Sequence, residues 1–339
     1  MADGRIRVGI IGGGSIAQAH LDGYLLAGDA AEVTAIADID PKNAKDSATR
    51  AGGARIFTDY RELIASGLVD AVDICLPHHL HKDAIVAAAA AGKDVLCEKP
   101  LCLTLAEAEA VTSAVASSGI TLMCSHNQLF LPAVAKAREM IEGGLLGKVY
   151  EARTTDIFIN SGLSAKTIGW RGPRSTAGGG ELIDTGYHPT YLLLHLVGSE
   201  PVQVTAILAR HRLEFLEGED SAQVLVQFAG GSVGTIATSW AYAPPTTTEK
   251  FWVAGEDGTL SSDGTTLRHR PRSGRTTVVA KYAAPKPHTI ALAVVDFIAC
   301  LREHRRPINT QVEGIQVLKV ILAAYASVER KQIVALNDL

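Results

Sequence analysis

Two patterns of apolar and polar positions follow one another along this chain, and the change falls near residue 127. Up to about residue 125, short apolar runs typical of buried strands alternate with longer stretches of helical character. The predicted strands are 5–11, 32–38, 55–57, 70–76, 94–97 and 120–124, and the predicted helices are 15–27, 41–51, 59–66, 79–91 and 104–118. This alternation with short loops predicts a parallel sheet with helices on both faces.

Strand patterns dominate after residue 127. The predicted strands are 147–158, 201–211, 220–229, 232–243, 247–255 and 275–282, and helices are predicted near 131–143, 181–197, 288–304 and 311–329. The pairs Gly230-Gly231, Asp257-Gly258 and Asp263-Gly264 are typical of hairpin turns. This half is therefore predicted to hold a large, mostly antiparallel open sheet with a few helices.

The turn between the first strand and the first helix carries the most specific motif. It reads Gly12-Gly13-Gly14-Ser15-Ile16-Ala17, and the strand after the helix ends on Asp38. This order of strand, G-x-G-x-x-A turn, helix, strand and acid is what a dinucleotide site needs. Gly12 permits the tight turn, Gly14 lets the main chain approach a pyrophosphate, and Ala17 lets the helix pack closely on the strand. The alternative is a glycine-rich turn in some other α/β domain.

The helix start and the acid define the predicted ligand further. Main-chain N–H groups at the helix start, including those of Ser15 and Ile16, meet the negative charge of the pyrophosphate. A carboxylate at Asp38 accepts the ribose hydroxyls of NAD and repels the 2′-phosphate of NADP, so NAD is predicted. Asp38 could instead be a turn or cap acid before Pro41, a role that Asp40 could fill equally well.

The predicted fold class is therefore α/β with two domains. Residues 1–126 form an N-terminal Rossmann dinucleotide-binding domain, and residues 127–339 form a C-terminal α+β domain for substrate binding and oligomerisation. The length of 339 residues suits two domains. A cleft between the two halves is the expected place for cofactor and substrate.

Composition excludes several classes of function. The chain is 47% hydrophobic and 20% charged, with a net charge of -4, so no basic surface for nucleic acid or for a membrane is expected. No apolar run approaches ~18 residues, the length that spans a membrane. The dinucleotide strand begins too early to leave room for a secretory signal, and a cytoplasmic location is predicted.

The cysteines and histidines indicate neither disulfides nor a metal. The five cysteines are an odd set, and those in or beside apolar strands read as buried thiols of a reducing compartment: Cys75, Cys97 and Cys124. The histidines are scattered among different loops without a cluster of cysteines or carboxylates. No metal site is predicted.

The second motif is Cys97-Glu98-Lys99-Pro100, directly after a predicted strand. The carboxyl ends of parallel strands face the cofactor crevice, so Glu98 and Lys99 are predicted to lie there. A lysine near the positive nicotinamide ring can act as a base or as a hydrogen-bond donor. The alternative is a surface Glu-Lys pair before a proline turn.

The third motif runs from Gly178-Gly179-Gly180 through Asp184 to His188. On a helix, Asp184 and His188 are four residues apart and share a face, where they can hydrogen-bond a sugar or transfer a proton. Gly186 weakens the helix, so the segment is locally awkward, as functional segments often are. The alternative is a helix-start acid and a histidine satisfied in the core.

These three motifs, in this order and over nearly the whole chain, resemble the glucose–fructose oxidoreductase/inositol dehydrogenase/rhizopine catabolism (Gfo/Idh/MocA) family. The resemblance implies hydride transfer on sugars or cyclitols, with Lys99, Asp184 and His188 as the catalytic trio. It places Pro77 and His81 in the loop beside the nicotinamide. It also implies substrate-binding positions at Asn127, Trp170, Arg171 and Tyr191.

Two positions depart from the family pattern. An acid is frequent three residues after the histidine, where this chain has Tyr191, and an arginine or tyrosine is frequent after Asn127, where it has Gln128-Leu129. Both departures lie where substrates are recognised. The exact substrate therefore does not follow from the resemblance.

The sequence thus predicts an NAD-dependent dehydrogenase that oxidises a hydroxyl of a sugar, cyclitol or sugar derivative. Lys99 and His188 share the substrate hydroxyl, and either is a candidate proton acceptor, while Asp184 orients the pair. One alternative is a glycoside-processing enzyme that uses transient oxidation. The other is a non-catalytic dinucleotide-sensing regulator, against which the intact trio argues.

Self-association is also predicted. Family members commonly pair through the open face of the second sheet, and apolar residues alternate along its strands in this chain: Val202, Val204, Ala206, Leu208, Val224, Val226 and Phe228. An apolar outer face needs a cover. A dimer or tetramer through the C-terminal sheet is expected.

Overall fold

The computed structural model describes residues 4–246, 248–284 and 288–339, which group into two compact units. The first unit is Met1–Asn127 with Lys286–Ile315, and the second is Gln128–Pro285 with Gln316–Leu339. The junction near residue 127 lies where the sequence pattern changes. The segment after Lys286, which the predicted division assigned to the second domain, groups with the first unit, because helix Thr289–Glu303 packs against the first helix where Gly23 meets Val294.

The described part of the first unit contains a six-stranded parallel sheet. Its strands are β1 (Ile6–Ile11), β2 (Ala31–Ala37), β3 (Arg55–Phe57), β4 (Ala71–Ile74), β5 (Asp94–Cys97) and β6 (Leu122–Cys124), in the order β3-β2-β1-β4-β5-β6. Its helices are α1 (Ser15–Ala27), α2 (Pro41–Arg50), α3 (Tyr60–Ala65), α4 (His81–Ala90), α5 (Leu105–Ser118) and, later in the chain, α10 (Thr289–Glu303). This confirms the predicted dinucleotide-binding fold.

The order of the strands reverses at β1, which lies between β2 and β4. In open parallel sheets, ligands bind beyond the carboxyl ends of the strands at such a switch point. The predicted cofactor motifs follow these ends: the glycine turn after β1, Asp38 after β2, Pro77 after β4 and Glu98 after β5. The sheet therefore brings all of them to one edge.

The described part of the second unit contains a nine-stranded sheet. Its strands are β7 (Val149–Ile157), β8 (Pro201–Ala209), β9 (Ser221–Phe228), β10 (Val233–Ser239), β11 (Phe251–Gly255), β12 (Gly258–Ser262), β13 (Thr266–Pro271), β14 (Thr277–Lys281) and β15 (Val334–Ala335), in the order β14-β13-β12-β11-β7-β10-β9-β8-β15. Its helices are α6 (Pro132–Glu142), α7 (Arg174–Ala177), α8 (Glu181–Asp184), α9 (Tyr187–Val197) and α11 (Gln311–Arg330), which belongs to this unit from Gln316 onward. Among the described strands of this sheet, only β7 and β10 pair in parallel, so the sheet is mostly antiparallel, as predicted.

The three predicted hairpin turns join β9 to β10, β11 to β12, and β12 to β13. Strands β12 and β13 were not predicted, because serine, threonine and arginine interrupt their apolar alternation. The predicted strand 247–255 is observed as β11, and its first residue, Thr247, lies outside the described residues.

The alternating apolar residues of β8 and β9 face the core, which corrects their assignment to the outer face. Val204, Val224 and Phe228 are almost fully buried. The opposite face is mostly polar, with Ile207 and Leu225 as exposed apolar side chains (75% and 46%). The prediction that a second subunit covers this sheet therefore rests on Ile207 and Leu225 and not on the alternating apolar residues of β8 and β9.

Helix α11 is long and apolar enough, by length and composition, to cross a membrane. The prediction from uninterrupted apolar runs did not single it out. Half of its most apolar window is buried inside the structure, and the core helix of a soluble protein meets the same criterion.

Candidate active site

The glycine turn leaves room for a ligand on one side only. Gly12 has a φ of +96°, and a Cβ there would lie 2.5 Å from the Cys75 carbonyl oxygen. At Gly14, the N-cap of α1, an added Cβ would meet nothing within 4 Å, and no side chain caps the helix. Open space beside uncapped N–H groups fits a pyrophosphate.

Asp38 is fixed beneath this turn. Its two carboxylate oxygens accept hydrogen bonds from the main-chain N–H groups of Gly13 and Asp40, each at 2.7 Å. The cap role that the sequence left open belongs to Asp40, which accepts from the main-chain N–H of Lys42 at the start of α2. Each Asp38 oxygen has a second lone pair, so the carboxylate is still able to accept ribose hydroxyls.

The loop after β4 is held by His81. This side chain is fully buried, and its Nδ1 and Nε2 lie 2.7 and 2.8 Å from the carbonyl oxygens of Pro100 and Leu76. Burial lowers the pKa of His81. The side chain therefore joins the loop around Pro77 to the turn after Lys99 and does not present its ring to a cofactor.

Glu98 has a similar internal role. One carboxylate oxygen lies 3.1 Å from Nε2 of His20, and the other accepts from the main-chain N–H of Lys99 at 3.2 Å. Burial opposes the charge of Glu98, but the His20 hydrogen bond and the positive charges of His20 and Lys99 outweigh it and lower its pKa to about 2. The Glu98 side chain, predicted as a cofactor contact, therefore holds Lys99 in place, while Lys99 itself is partly exposed.

In the second unit, Asp184 and His188 do not lie on one continuous helix. Helix α8 ends at Asp184 and α9 begins at Tyr187, and between them the N–H of Gly186 donates to the carbonyl of Glu181, five residues back. Such widened turns occur frequently at functional sites. The predicted helix 181–197 is therefore interrupted between Asp184 and Tyr187, and the shared face of Asp184 and His188 stays a prediction.

Asp184 is oriented by Arg171. The Arg171 Nε donates to an Asp184 carboxylate oxygen at 2.7 Å, and the Asp184 side chain is only 9% exposed. The Trp170 ring lies beneath the guanidinium, 4.2 Å from its central carbon. Arg171 of the predicted substrate-binding pair Trp170-Arg171 thus contacts Asp184, and Trp170 stacks on Arg171.

His188 is oriented by Tyr191, a position that departs from the family pattern. The Tyr191 hydroxyl lies 2.8 Å from Nδ1 of His188 and accepts from the main-chain N–H of Gln128 at 2.9 Å. Tyr191 is almost fully buried. Its hydroxyl is therefore engaged in holding the histidine, and the direct substrate contact predicted for it stays a prediction.

Gln128 belongs to a set of contacting polar side chains that the sequence did not reveal. Its side-chain amide donates to Asp156 at 3.2 Å, and Lys250 lies 3.6 Å from the same carboxylate oxygen. Asn127, the residue before it, donates instead to the hydroxyl of Thr289 within the first unit. Asn127 and Gln128, although adjacent in the chain, thus make their side-chain hydrogen bonds in different units.

Two buried glutamates flank the Asp184 segment and were also not predicted. The carboxyl of Glu181 is hydrogen-bonded to the Thr238 hydroxyl. Glu219 accepts from the main-chain N–H of Leu182 and from the Tyr325 hydroxyl, each at 2.9 Å. Burial raises the pKa of both carboxyls. The signal available in the sequence was Glu181 itself, an acid placed directly before the apolar start of a predicted core helix.

The sequence model of the Gfo/Idh/MocA oxidoreductase family, with an NAD-binding Rossmann fold, matches residues 6–126. The sequence model of the Gfo/Idh/MocA C-terminal domain matches residues 134–261. Together these two matches run from β1 into β12 and leave out only residues 127–133 between them.

Related proteins are similar over most of the chain. It is 32% identical to the levoglucosan dehydrogenase of Pseudarthrobacter phenanthrenivorans over 68% of this chain and 66% of that enzyme. It is 27% identical to the 1,5-anhydro-D-fructose reductase of Ensifer adhaerens over 94% of each chain. It is also 32% identical to an uncharacterized oxidoreductase of Rhizobium meliloti over 69% of this chain and 68% of that one.

A solved structure of a levoglucosan dehydrogenase in complex with NADH and levoglucosan is similar throughout. The TM-score is 0.88 at 27% identity, over 98% of this chain and 99% of that one. The fold, the family matches and these identities agree with one another. This chain belongs to the Gfo/Idh/MocA family of NAD-binding oxidoreductases.

Proposed function

We propose that this protein is an NAD-dependent dehydrogenase that oxidises a hydroxyl-bearing carbon of a sugar or cyclitol. The observation that carries the proposal is the second-unit pair, Asp184 held by Arg171 and His188 held by Tyr191. A preoriented carboxylate and imidazole suit a substrate with neighbouring hydroxyls. Relatives named as levoglucosan, D-apiose and myo-inositol dehydrogenases support the substrate class.

NAD, when bound, accepts the hydride, and the protein's own groups handle the proton. We take the Tyr191 hydroxyl, which accepts from the main-chain N–H of Gln128, as the donor to Nδ1 of His188. Neutral His188 then carries its proton on Nε2 and donates a hydrogen bond to the substrate oxygen. In this arrangement Lys99, once it has released its own ammonium proton to solvent, takes the hydroxyl proton as a neutral amine. One of the two roles that the sequence left open then falls to each residue.

Asp184 completes the proposed site. Its carboxylate, with one oxygen engaged by Arg171, accepts a hydrogen bond from a hydroxyl next to the reacting carbon. The reaction requires Lys99, Asp184 and His188 to reach the same substrate. That requirement is a prediction from the family motif.

The test is a screen of substrates with NAD. Levoglucosan, myo-inositol and a panel of aldoses and amino sugars would be incubated with NAD and with NADP, and the reduced cofactor followed by its absorbance. Reduction with at least one sugar or cyclitol is expected. Binding of NAD without reduction by any of them would contradict the proposal, and product formation with unchanged NAD would favour transient oxidation of a glycoside.

Replacement of Asp38 by serine is expected to weaken the preference for NAD. The carboxylate repels a 2′-phosphate and binds ribose hydroxyls, and loss of a charged hydrogen bond is worth about 1.5–3 kcal/mol, roughly 10- to 150-fold in relative affinity. Titration of NAD and NADP against both proteins measures this. Asp40→Ser, which keeps a hydroxyl cap for α2 and removes only a neighbouring carboxylate charge, is the matched control. Equal affinity of the unmodified protein for both cofactors would show that Asp38 does not select.

We also propose a dimer or tetramer formed through the outer face of the second sheet. Ile207, Leu225 and Val233 are the apolar side chains exposed on β8, β9 and β10. Light scattering at micromolar concentration is expected to give at least twice the chain mass, and Leu225→Asp to reduce it. Leu25→Asp, at an exposed position on α1, is the control that should leave the mass unchanged. A monomeric unmodified protein would contradict this assembly.

A cytoplasmic location is part of the proposal. All five cysteines are free and buried, as expected of a chain that folds in a reducing compartment. Fractionation of cells that express the tagged protein checks it.

A further inference from the structure

A buried ionisable cluster lies in the first unit behind Lys99. His20, on α1, is completely buried, with its Nδ1 2.8 Å from an oxygen of Asp73 on β4 and its Nε2 3.1 Å from an oxygen of Glu98. Asp73 also accepts from the hydroxyl of Tyr24 at 2.9 Å, and the thiol of Cys75 lies 3.7 Å from its other oxygen. We call these five residues the His20 cluster.

The geometry defines the protonation of the ring. Each ring nitrogen of His20 faces a carboxylate oxygen, and a carboxylate only accepts hydrogen bonds. Both nitrogens must then carry a proton, which makes the ring an imidazolium between two carboxylates. Burial opposes this charge, but the charge of Asp73, the contribution of Cys75 and the hydrogen bond to Asp73 together outweigh the burial and raise the pKa of His20 well above its usual value.

A metal is a poor alternative occupant of this cluster. Ligand atoms of His20, Asp73 and Cys75 lie within 4.8 Å of one another, the one such group among the described residues. A metal would need a thiolate and a free ring nitrogen. Burial raises the pKa of Cys75 to about 12, and both nitrogens already face carboxylates.

The cluster is connected to Lys99 through Glu98. The Glu98 carboxylate takes one hydrogen bond from His20 and another from the main-chain N–H of Lys99, while its own N–H donates to the carbonyl of Ile74 on β4. His20 itself lies on the helix that begins at the glycine turn. One buried ring thus links the cofactor-binding helix, β4 and the main chain that carries Lys99.

We propose that His20, as an imidazolium between Asp73 and Glu98, is a positioning residue that fixes Lys99 relative to the cofactor-binding turn. The proposal rests on the proposed function in giving Lys99 a part in the reaction. The hydrogen bond from Nε2 of His20 to Glu98 does the positioning, and the hydrogen bond from Nδ1 to Asp73 anchors the ring. Because the two hydrogen bonds use different nitrogens, substitutions are able to remove them separately.

Two amide variants form a matched pair for the test. The side-chain nitrogen of glutamine reaches roughly the place of Nε2, and that of asparagine roughly the place of Nδ1. His20→Gln therefore keeps a donor for Glu98, whereas His20→Asn keeps only a donor for Asp73. Both variants remove the same charge from the same buried place, so a merely structural role would affect them alike.

The turnover measurement uses levoglucosan or whichever sugar of the screen reduces NAD fastest. In His20→Asn, kcat is expected to fall by about 10- to 100-fold, since a misplacement of roughly 1 Å at the reacting groups has effects of that order. His20→Gln is expected to retain most of kcat, and NAD titration should give nearly unchanged affinity in both. Equal losses in the two variants, with matching losses of thermal stability, would overturn the proposal.

Two NMR measurements need no turnover and separate this inference from the proposed function. In ¹⁵N-histidine-labelled protein, both His20 nitrogens are expected to show imidazolium signals at pH 7, assigned by their absence in His20→Gln. After reductive ¹³C-methylation, the Lys99 signal of the NAD complex, assigned with Lys99→Arg, should shift in His20→Asn more than in His20→Gln. A neutral His20 ring, or a Lys99 signal that neither variant moves, would refute the positioning role even if sugars are oxidised.

Discussion

Lys99→Ala and, separately, His188→Ala are expected to lower turnover by about 100-fold or more, as the loss of a group that handles the proton does. Lys99 directly follows the Glu98 anchor at the carboxyl end of β5, and His188 is held by the buried Tyr191 hydroxyl. Steady-state rates with the best sugar or cyclitol of the screen measure the effect.

NAD affinity is the control for both variants. Gly12, Gly14 and Asp38 carry most of the predicted cofactor contacts and lie at the ends of β1 and β2, so titration with NAD should give nearly unchanged binding. Arg171→Ala offers a comparison, because it frees Asp184 without removing a proton-handling group. Near-normal turnover in Lys99→Ala and His188→Ala would remove the pair from the mechanism.

The first half of the fold was predictable because its signals are local. The glycine turn, the strand that ends at Asp38 and the alternation of strands with helices each occupy a short stretch of chain. Topology then brings the motifs after β1, β2, β4 and β5 to one edge of the sheet without further information. The predicted and observed bounds of these elements accordingly differ by only a few residues.

What the sequence did not reveal depends on contacts between distant residues. The segment from Lys286 groups with the first unit because Gly23 permits the close approach of Val294, a fit that periodicity does not show. The break between α8 and α9 arises from one hydrogen bond to Glu181. The same is true of His20, which shares the buried face of α1 with Ala17, Leu21 and Tyr24. A histidine on an apolar face was the available signal, but its two carboxylate partners lie far along the chain, one on β4 and one directly after β5.

Glu181 has a chemical state that the structure reveals through its partner. The Thr238 hydroxyl lies within hydrogen-bond distance of the Glu181 carboxyl and 3.0 Å from the carbonyl oxygen of Asp156. A hydroxyl has one proton, so when Thr238 donates to Asp156 the Glu181 carboxyl must supply the other proton. Burial, followed by the nearby charges of Glu219 and Asp156, raises the pKa of Glu181 well above its usual 4.5. We therefore expect Glu181 to be a neutral acid in the folded protein.

This state makes stability depend on pH in a defined direction. Above about pH 4.5 the unfolded chain releases the Glu181 proton while the folded protein keeps it, so the folded state binds more protons. Stability then falls as pH rises towards the raised pKa, by up to about 1.4 kcal/mol per pH unit from this one group. Glu181→Gln lacks that dependence and still has an N–H donor for Thr238. Between pH 5 and 7, its unfolding free energy relative to the unmodified protein should therefore rise by as much as about 2–3 kcal/mol.

Urea unfolding of both proteins at several pH values measures this difference. Glu214→Gln, at an exposed position in the same unit, is the control and should show no such trend. A difference between Glu181→Gln and the unmodified protein that stays constant with pH would mean that Glu181 is ionised when folded.

The neutral state also has a functional consequence. Glu181 lies one helical turn before Asp184, and a second negative charge there would repel the carboxylate that Arg171 holds. A protonated Glu181 would leave Asp184 as the charged group that the proposed mechanism places at the substrate.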